Sequence, residues 1–240
     1  MLILAFDTTS EEGGVGIFRD TECLASVPNA GQANQYSITL FEMVEQALAL
    51  AHLQLREIEL YAAANGPGSF TGIRVGLAAA LAWGKAFGRR VRGVSILEAM
   101  VSKGRPISDW AFPIMDARRG EFFLGSFRRK PSEHPGATQH DYEPTDEGWL
   151  LKPESLRAFV EERLAQGAGA SYLVRANDHA AVDLRTNLPA SLNWQPVEGA
   201  LMTSIAEIAR KEEQSSPPYP DAKLDAYYLR RPDAEVNWKD

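Results

Sequence analysis

A chain of 240 residues, 45% of them hydrophobic, can bury a substantial core in one or two domains. Its formal net charge of −7 argues against an autonomous nucleic-acid binder, which carries a basic face. The single cysteine, Cys23, excludes an intramolecular disulfide and fits a reducing compartment. The opening Met1-Leu-Ile-Leu-Ala-Phe-Asp7 is too short for a signal peptide and lacks the basic flank, so a soluble, cytoplasmic protein is expected.

In chain order, the apolar run Leu2 to Phe6 predicts a strand, followed by a polar turn from Asp7 to Gly14 and a returning strand over Val15 to Phe18. An amphipathic helix follows over Tyr36 to His52, then a short strand over Leu60 to Ala64. Asn65 to Gly76 reads Asn-Gly-Pro-Gly-Ser-Phe-Thr-Gly-Ile-Arg-Val-Gly and opens a helix that ends near Phe87. Such a strand–turn–helix leaves backbone N–H groups free at the helix start, where an anion or phosphate can sit. It lacks the Gly-Lys-Ser/Thr ending of a P-loop, and Gly66-x-Gly68-x-x-x-Gly72 is one residue too long for the dinucleotide fingerprint. A tight turn that needs glycine for its dihedrals is the competing reading.

Gly72, Gly76, Ala80 and Gly84 recur every four residues and share one face of that helix. Glycine inside a helix costs about 0.5–1 kcal/mol relative to alanine. The stripe therefore predicts a close-packed partner for the helix, within the chain or across an interface. Arg74 and Lys85 leave too short an uncharged run for a membrane span.

The second half repeats the opening. Trp110 to Met115 predicts a strand ending at Asp116, followed by the polar turn Ala117-Arg118-Arg119-Gly120 and a returning strand over Glu121 to Phe127. After a Pro/Gly-rich insert (130–148) come a helix from Pro153 to about Ala165, a strand around Tyr172 to Val174, and a helix from Thr203 to about Glu213. Both halves thus suggest an α/β domain on one plan: residues 1–105, a reduced second domain 106–214, and a proline-rich linker with an anchoring segment over 215–240. Two such domains facing each other would place Asp7 and Asp116 at the mouth of a shared cleft. That arrangement resembles the two-domain actin, sugar kinase and Hsp70 (ASKHA) superfamily, in which hairpin tips grip phosphates and aspartates position Mg²⁺ through water. The alternative is that each aspartate caps its own turn.

Leu4-Ala-Phe-Asp7-Thr8-Thr9, the block Gly66 to Arg74, Val94-Ser95, Asp116-Ala-Arg118-Arg-Gly-Glu121 and Tyr228-Leu229-Arg230 together resemble the bacterial TsaB family, from end to end of the chain. The resemblance implies a non-catalytic relative of TsaD in the machinery that makes threonylcarbamoyladenosine next to the anticodon of tRNA. It implies pairing with TsaD and TsaE, a homodimer through the same surface in isolation, tRNA contact only within the complex, and no membrane. No intrinsic cofactor is implied, since ATP and Mg²⁺ serve the partners. The implied interface lies on the first-domain helices, at Tyr36, Leu40, Met43, Val44, Gly72, Arg74, Gly76, Ala80 and Trp83. The implied nucleotide or phosphate cleft comprises Asp7, Thr8, Thr9, Gly66, Gly68, Ser69, Asp116 and Arg118.

The chain departs from an active superfamily enzyme. TsaD holds its metal with two histidines four residues apart on a helix, and no two of His52, His134, His140 and His179 have that spacing. Tyr36-Ser37 stands where the family often has His-Ser or His-Thr, and Gly167-Ala-Gly169 is a weak candidate for a second glycine-rich loop. Arg89, Arg90 and Arg92 form a basic cluster that is either solvated surface or a contact for tRNA phosphates. No catalytic or metal residue is expected. The alternatives are an autonomous ATP-binding kinase or ATPase of the ASKHA fold, and a glycoprotease-like metallopeptidase.

Overall fold

The computed structural model describes residues 1–29, 35–131, 141–165, 169–175, 178–184, 188 and 192–215. His134, His140, Gly167 and the aromatics of the predicted anchoring segment, Tyr227, Tyr228 and Trp238, lie outside them. The described residues divide into two units, 1–99 with 199–215, and 100–198. No helix among them is long and apolar enough to cross a membrane.

The first unit is built on the strands β1 (Leu2–Asp7), β2 (Gly14–Arg19), β3 (Glu22–Pro28), β4 (Leu60–Gly66) and β5 (Arg90–Ser95), in the sheet order β3-β2-β1-β4-β5. β1, β4 and β5 run parallel, and β2 is antiparallel to both its neighbours. Strand alternation sends Leu4, Phe6, Val15, Ile17, Tyr61 and Ala63 to one face, into a core with helices α1 (Tyr36–Ala51) and α2 (Phe70–Phe87). Leu40, Met43, Val44, Ala47 and Leu48 recur at three- and four-residue spacing and form the buried side of α1. The other face, with Ile3, Ala5 and Phe18, is covered by helix α6 (Met202–Ser215). Gly14 and Gly16 make room there, since a Cβ at Gly14 would lie 2.8 Å from Met202 Cε.

The second unit repeats the plan. Strands β6 (Trp110–Asp116), β7 (Phe122–Leu124), β10 (Trp149–Leu151), β11 (Ala170–Arg175) and β12 (Asn193–Val197) follow the order β10-β7-β6-β11-β12. Again the first two strands are an antiparallel hairpin, a third strand lies antiparallel outside it, and two parallel strands complete the other side. Two short strands, β8 (Phe127–Arg129) and β9 (Tyr142–Pro144), extend the start of β6. Helices α4 (Pro153–Ala165) and α5 (His179–Leu184) cover an aromatic face on which Phe112 stacks with Tyr172 at 5.3 Å between centroids. Helix α3 (Ile96–Gly104) carries the chain out of the first unit.

Three points differ from the sequence reading. The sequence places the helix over 203–213 in the second domain, whereas α6 packs on β1, β2, β4 and β5 and belongs with residues 1–99. The strand expected over Glu121 to Phe127 is broken into β7 and β8 around Gly125-Ser126, where Gly125 N donates to Pro113 O at 3.0 Å. Strand β5 occupies the segment read as a basic cluster.

Candidate functional site

The first hairpin turn is built into its unit. Asp7 ends β1 fully buried, and its Oδ1 accepts from Thr9 N at 2.8 Å and Thr9 Oγ1 at 2.6 Å. Thr8 Oγ1 donates to Gly72 O at 2.7 Å, Ser69 N to Thr9 O at 2.8 Å, and the buried Tyr36 hydroxyl to Ser10 O at 2.8 Å. Ser69 caps α2 by accepting from Gly72 N at 3.3 Å. Gly68, with φ +154°, lets its backbone meet the turn, and a Cβ there would lie 2.7 Å from Thr9 O.

Six of the eight residues assigned to a nucleotide cleft are therefore local to one another: Asp7, Thr8, Thr9, Gly66, Gly68 and Ser69. They are, however, interlocked with their own chain. Two of the N–H groups at the helix start, those of Ser69 and Gly72, are engaged by Thr9 O and Ser69 Oγ. At these two donors the tight-turn reading holds.

The other two residues, Asp116 and Arg118, belong to the second unit. Asp116 closes its turn as Asp7 does, with Oδ1 accepting from the N–H two residues on, here Arg118 at 2.7 Å. Ala117 N donates to Glu121 O at 2.9 Å, and Glu121 N to Arg118 O at 3.2 Å. Arg118, Arg119 and Gly120 all adopt positive φ (62°, 58° and 73°), and the two arginines are exposed. A left-handed residue other than glycine costs about 1–2 kcal/mol, so this tip holds an unfavourable conformation against its own preference.

A residue that sequence reasoning missed holds the base of this turn. Asp178 Oδ2 accepts from Asp116 N at 2.7 Å, and its Oδ1 accepts from Ala181 N at 3.0 Å. Burial pushes the Asp178 carboxyl above the usual range and the Asp116 carboxylate adds to this, while the two backbone N–H bonds and the Arg175 guanidinium pull it down. The only local signal was an aspartate one residue before an alanine-rich helical turn, which reads as an ordinary cap.

The helix stripe does not face outward. Gly72, Gly76, Ala80 and Gly84 are all buried. A Cβ on Gly72 would overlap Thr8 O, on Gly76 Thr8 Oγ1, and on Gly84 Val91 Cγ2. The close partner is the unit's own sheet and turn, which corrects their assignment to a partner interface. Tyr36, Leu40, Met43, Val44 and Trp83 are likewise core residues; Trp83 packs edge-on to Phe6 at 5.9 Å. Of the nine proposed interface residues only Arg74 is exposed, its guanidinium 3.8 Å above the Phe70 ring. The outer faces of the same two helices carry other residues. Ile38 is 68%, Phe41 54% and Leu81 44% exposed, and Ala78 and Ala82 are exposed between Arg74 and Lys85. The Phe41 ring meets Trp83 edge-on at 5.6 Å, so this surface continues into the core.

The basic cluster is also internal in part. Glu213 of α6 binds Arg90, and its Oε2 accepts from Arg92 Nε at 3.1 Å and Nη2 at 2.8 Å. These two arginines tie α6 to β5, the Arg92 side chain largely buried in the pair and that of Arg90 half-exposed. Arg89 lies close enough to Tyr61 for its charge to oppose the burial that pushes the Tyr61 hydroxyl up to about 12. His52 ends α1 in the left-handed conformation, its N–H donating to Ala49 O at 3.2 Å. Among the described residues no group of three or more His, Cys, Asp or Glu side chains converges as a metal site.

The paired hairpin–crossover units define an α/β protein with an ASKHA-type fold. The solved structures of YeaZ from Pseudomonas aeruginosa and of a Pseudomonas aeruginosa protein similar to peptidase YEAZ share the fold, with TM-scores of 0.64 and 0.66. Each is 18% identical and aligns over 89% of this chain, and over 94% and 93% of its own length respectively. The family model for TsaD, tRNA N6-adenosine threonylcarbamoyltransferase, matches residues 27–186, two-thirds of the chain. The tRNA threonylcarbamoyladenosine biosynthesis protein TsaB of Escherichia coli (strain K12) is 31% identical over 77% of this chain and 75% of its own. TsaB of Bacillus subtilis (strain 168) is 32% identical over 54% of this chain, which spans 56% of that relative's length. The chain belongs to the TsaB family, within the wider group that the TsaD model describes.

Proposed function

We propose that this chain is a non-catalytic, activating subunit of the complex that transfers a threonylcarbamoyl group to N6 of adenosine in tRNA. It pairs with TsaD through the outer faces of α1 and α2 and works alongside the ATPase TsaE; in isolation a second copy takes the same face. The observation that carries this reading is the set Ile38, Phe41 and Leu81, large apolar side chains left exposed on two neighbouring helices whose inner faces are already buried. The family relationship supplies the partner. Two further features support the non-catalytic part: both hairpin aspartates close their own turns, and the first turn fills the start of the glycine-rich helix with its own chain. ATP and Mg²⁺ then belong to the partners, and tRNA is met only in the complex, in keeping with a net charge of −7.

The test is tRNA modification by the cognate TsaD and TsaE, fed with threonylcarbamoyl-adenylate and ATP, with and without this chain. Modification that depends on the chain, and is lost in Phe41→Glu/Leu81→Glu, supports the proposal. Equal modification without the chain overturns it. Tight ATP binding by the chain alone would point instead to an autonomous ATPase.

A further inference from the structure

The two hairpin turns share the same internal bond, an aspartate accepting from the N–H two residues on, yet they are held in different ways. The first is gripped at Thr8, Thr9 and Ser10 by Gly72, Ser69 and Tyr36, with Asp7, Thr8 and Thr9 buried. The second projects Arg118 and Arg119 outward in the left-handed region. Its base is tied to the β11–α5 connection by one carboxylate. Asp178 accepts from Asp116 N with one oxygen and from Ala181 N with the other, so a single side chain bridges the end of β6 and the first turn of α5. Asp178 N itself donates to Arg175 O at 3.0 Å, which fixes the carboxylate relative to β11. Losing a carboxyl group that two backbone donors share leaves both donors without that partner.

We propose that Asp178 is a positioning residue: it clamps the Asp116–Gly120 turn so that the Asp116 carboxylate and the Arg118 and Arg119 side chains are presented in one fixed geometry. The clamp itself stands independently of the function proposed above; its consequence for tRNA modification rests on that reading.

The experiment is residue-resolved amide hydrogen exchange on the full chain, wild type against Asp178→Ala and Asp178→Asn. Asp178→Ala is expected to speed exchange at Asp116 and Arg118 about tenfold or more, with Leu4 and Ala63 in the first unit unchanged. Asp178→Asn keeps one oxygen acceptor and should fall between the two. Unchanged exchange at Asp116 and Arg118 overturns the clamp, as does an equal rise across the whole second unit, which would mark Asp178 as a general stabiliser. Should Asp178→Ala fail to fold, the scalar coupling between the Asp116 amide nitrogen and the Asp178 carboxyl carbon decides the matter in the wild type. Its presence supports the clamp and its absence overturns it. In reconstituted tRNA modification, Asp178→Asn should lower the rate several-fold while binding to TsaD is unchanged. A loosened turn with full activity overturns the functional role of the clamp. No dependence on the wild-type chain would instead count against the function, with the clamp still decided by exchange.

Discussion

The first and second hairpins begin alike, with an apolar strand, an aspartate and a turn that the aspartate closes, and they end as opposites. The first turn is a structural joint: the carbonyl and hydroxyl of Thr8 fill the space that Gly72 and Gly76 of α2 leave open. The second is a presented tip, with charged residues outside and a clamp beneath. The two units thus share a backbone plan and use it differently. The aspartates that invite a common reading sit in surroundings that do not match: one is fully buried, the other half-buried beside a second carboxylate.

The strongest way to break this comparison is at the joint. Gly72→Val should cost the first unit more than about 3 kcal/mol, because the new side chain meets Thr8 backbone rather than a movable tip. Urea unfolding monitored by tryptophan fluorescence checks it, and a stable variant would show that the turn can move aside. Gly76→Leu belongs to the same class and is expected to destabilise the unit itself, not merely its pairing. Tyr36→Phe removes the donor to Ser10 O and should cost about 1 kcal/mol, with faster exchange confined to the first turn.

Acidity sharpens the other side. Because burial raises the Asp178 carboxyl in the folded chain, its contribution to stability is fully present below the usual carboxylate value of 3.8. That contribution declines as pH rises through the elevated folded value. The stability of wild type relative to Asp178→Asn, followed by denaturant unfolding from acid to neutral pH, should therefore fall across that window; a flat difference would contradict the burial argument. The smallest effect on folding is expected on the outer helix face. Ile38→Glu should change stability by about 0.5 kcal/mol or less while weakening pairing, as read by light scattering.

Much of the fold was legible. Apolar alternation and turn residues gave β1, β2, β4, β6 and β11, and helical spacing gave α1, α2, α4 and α6. The lost strands share a cause. β3, β5, β9, β10 and β12 lie at sheet margins, where charged and polar residues such as Arg90, Arg92 and Asn193 dilute the alternation. The membership of α6 could not be read, because periodicity marks an apolar face without saying which sheet it meets. Its signal was the Gly14-x-Gly16 spacing, whose two glycines leave room for Met202 on that face of β2. The glycine stripe on α2 was read correctly as close packing, but a one-dimensional pattern does not distinguish the chain's own strand from another molecule. At the candidate site, the clustering of Asp7 with Gly68 and Ser69 was foreseen and Asp178 was not, since its role depends on a neighbour 62 positions away.

The return of α6 to the first sheet has a consequence for how the chain is made. Met202, Ile205, Ala206 and Ala209 are among the last described residues to leave the ribosome, yet they belong to the unit that begins at the N-terminus. Until they emerge, Ile3, Ala5 and Phe18 lack the helix that covers them, so the second unit has all its described strands available first. Synthesis from the N-terminus usually completes N-terminal domains early. Here the order is inverted, and the nascent chain carries an uncovered sheet face for roughly the time taken to translate the second unit.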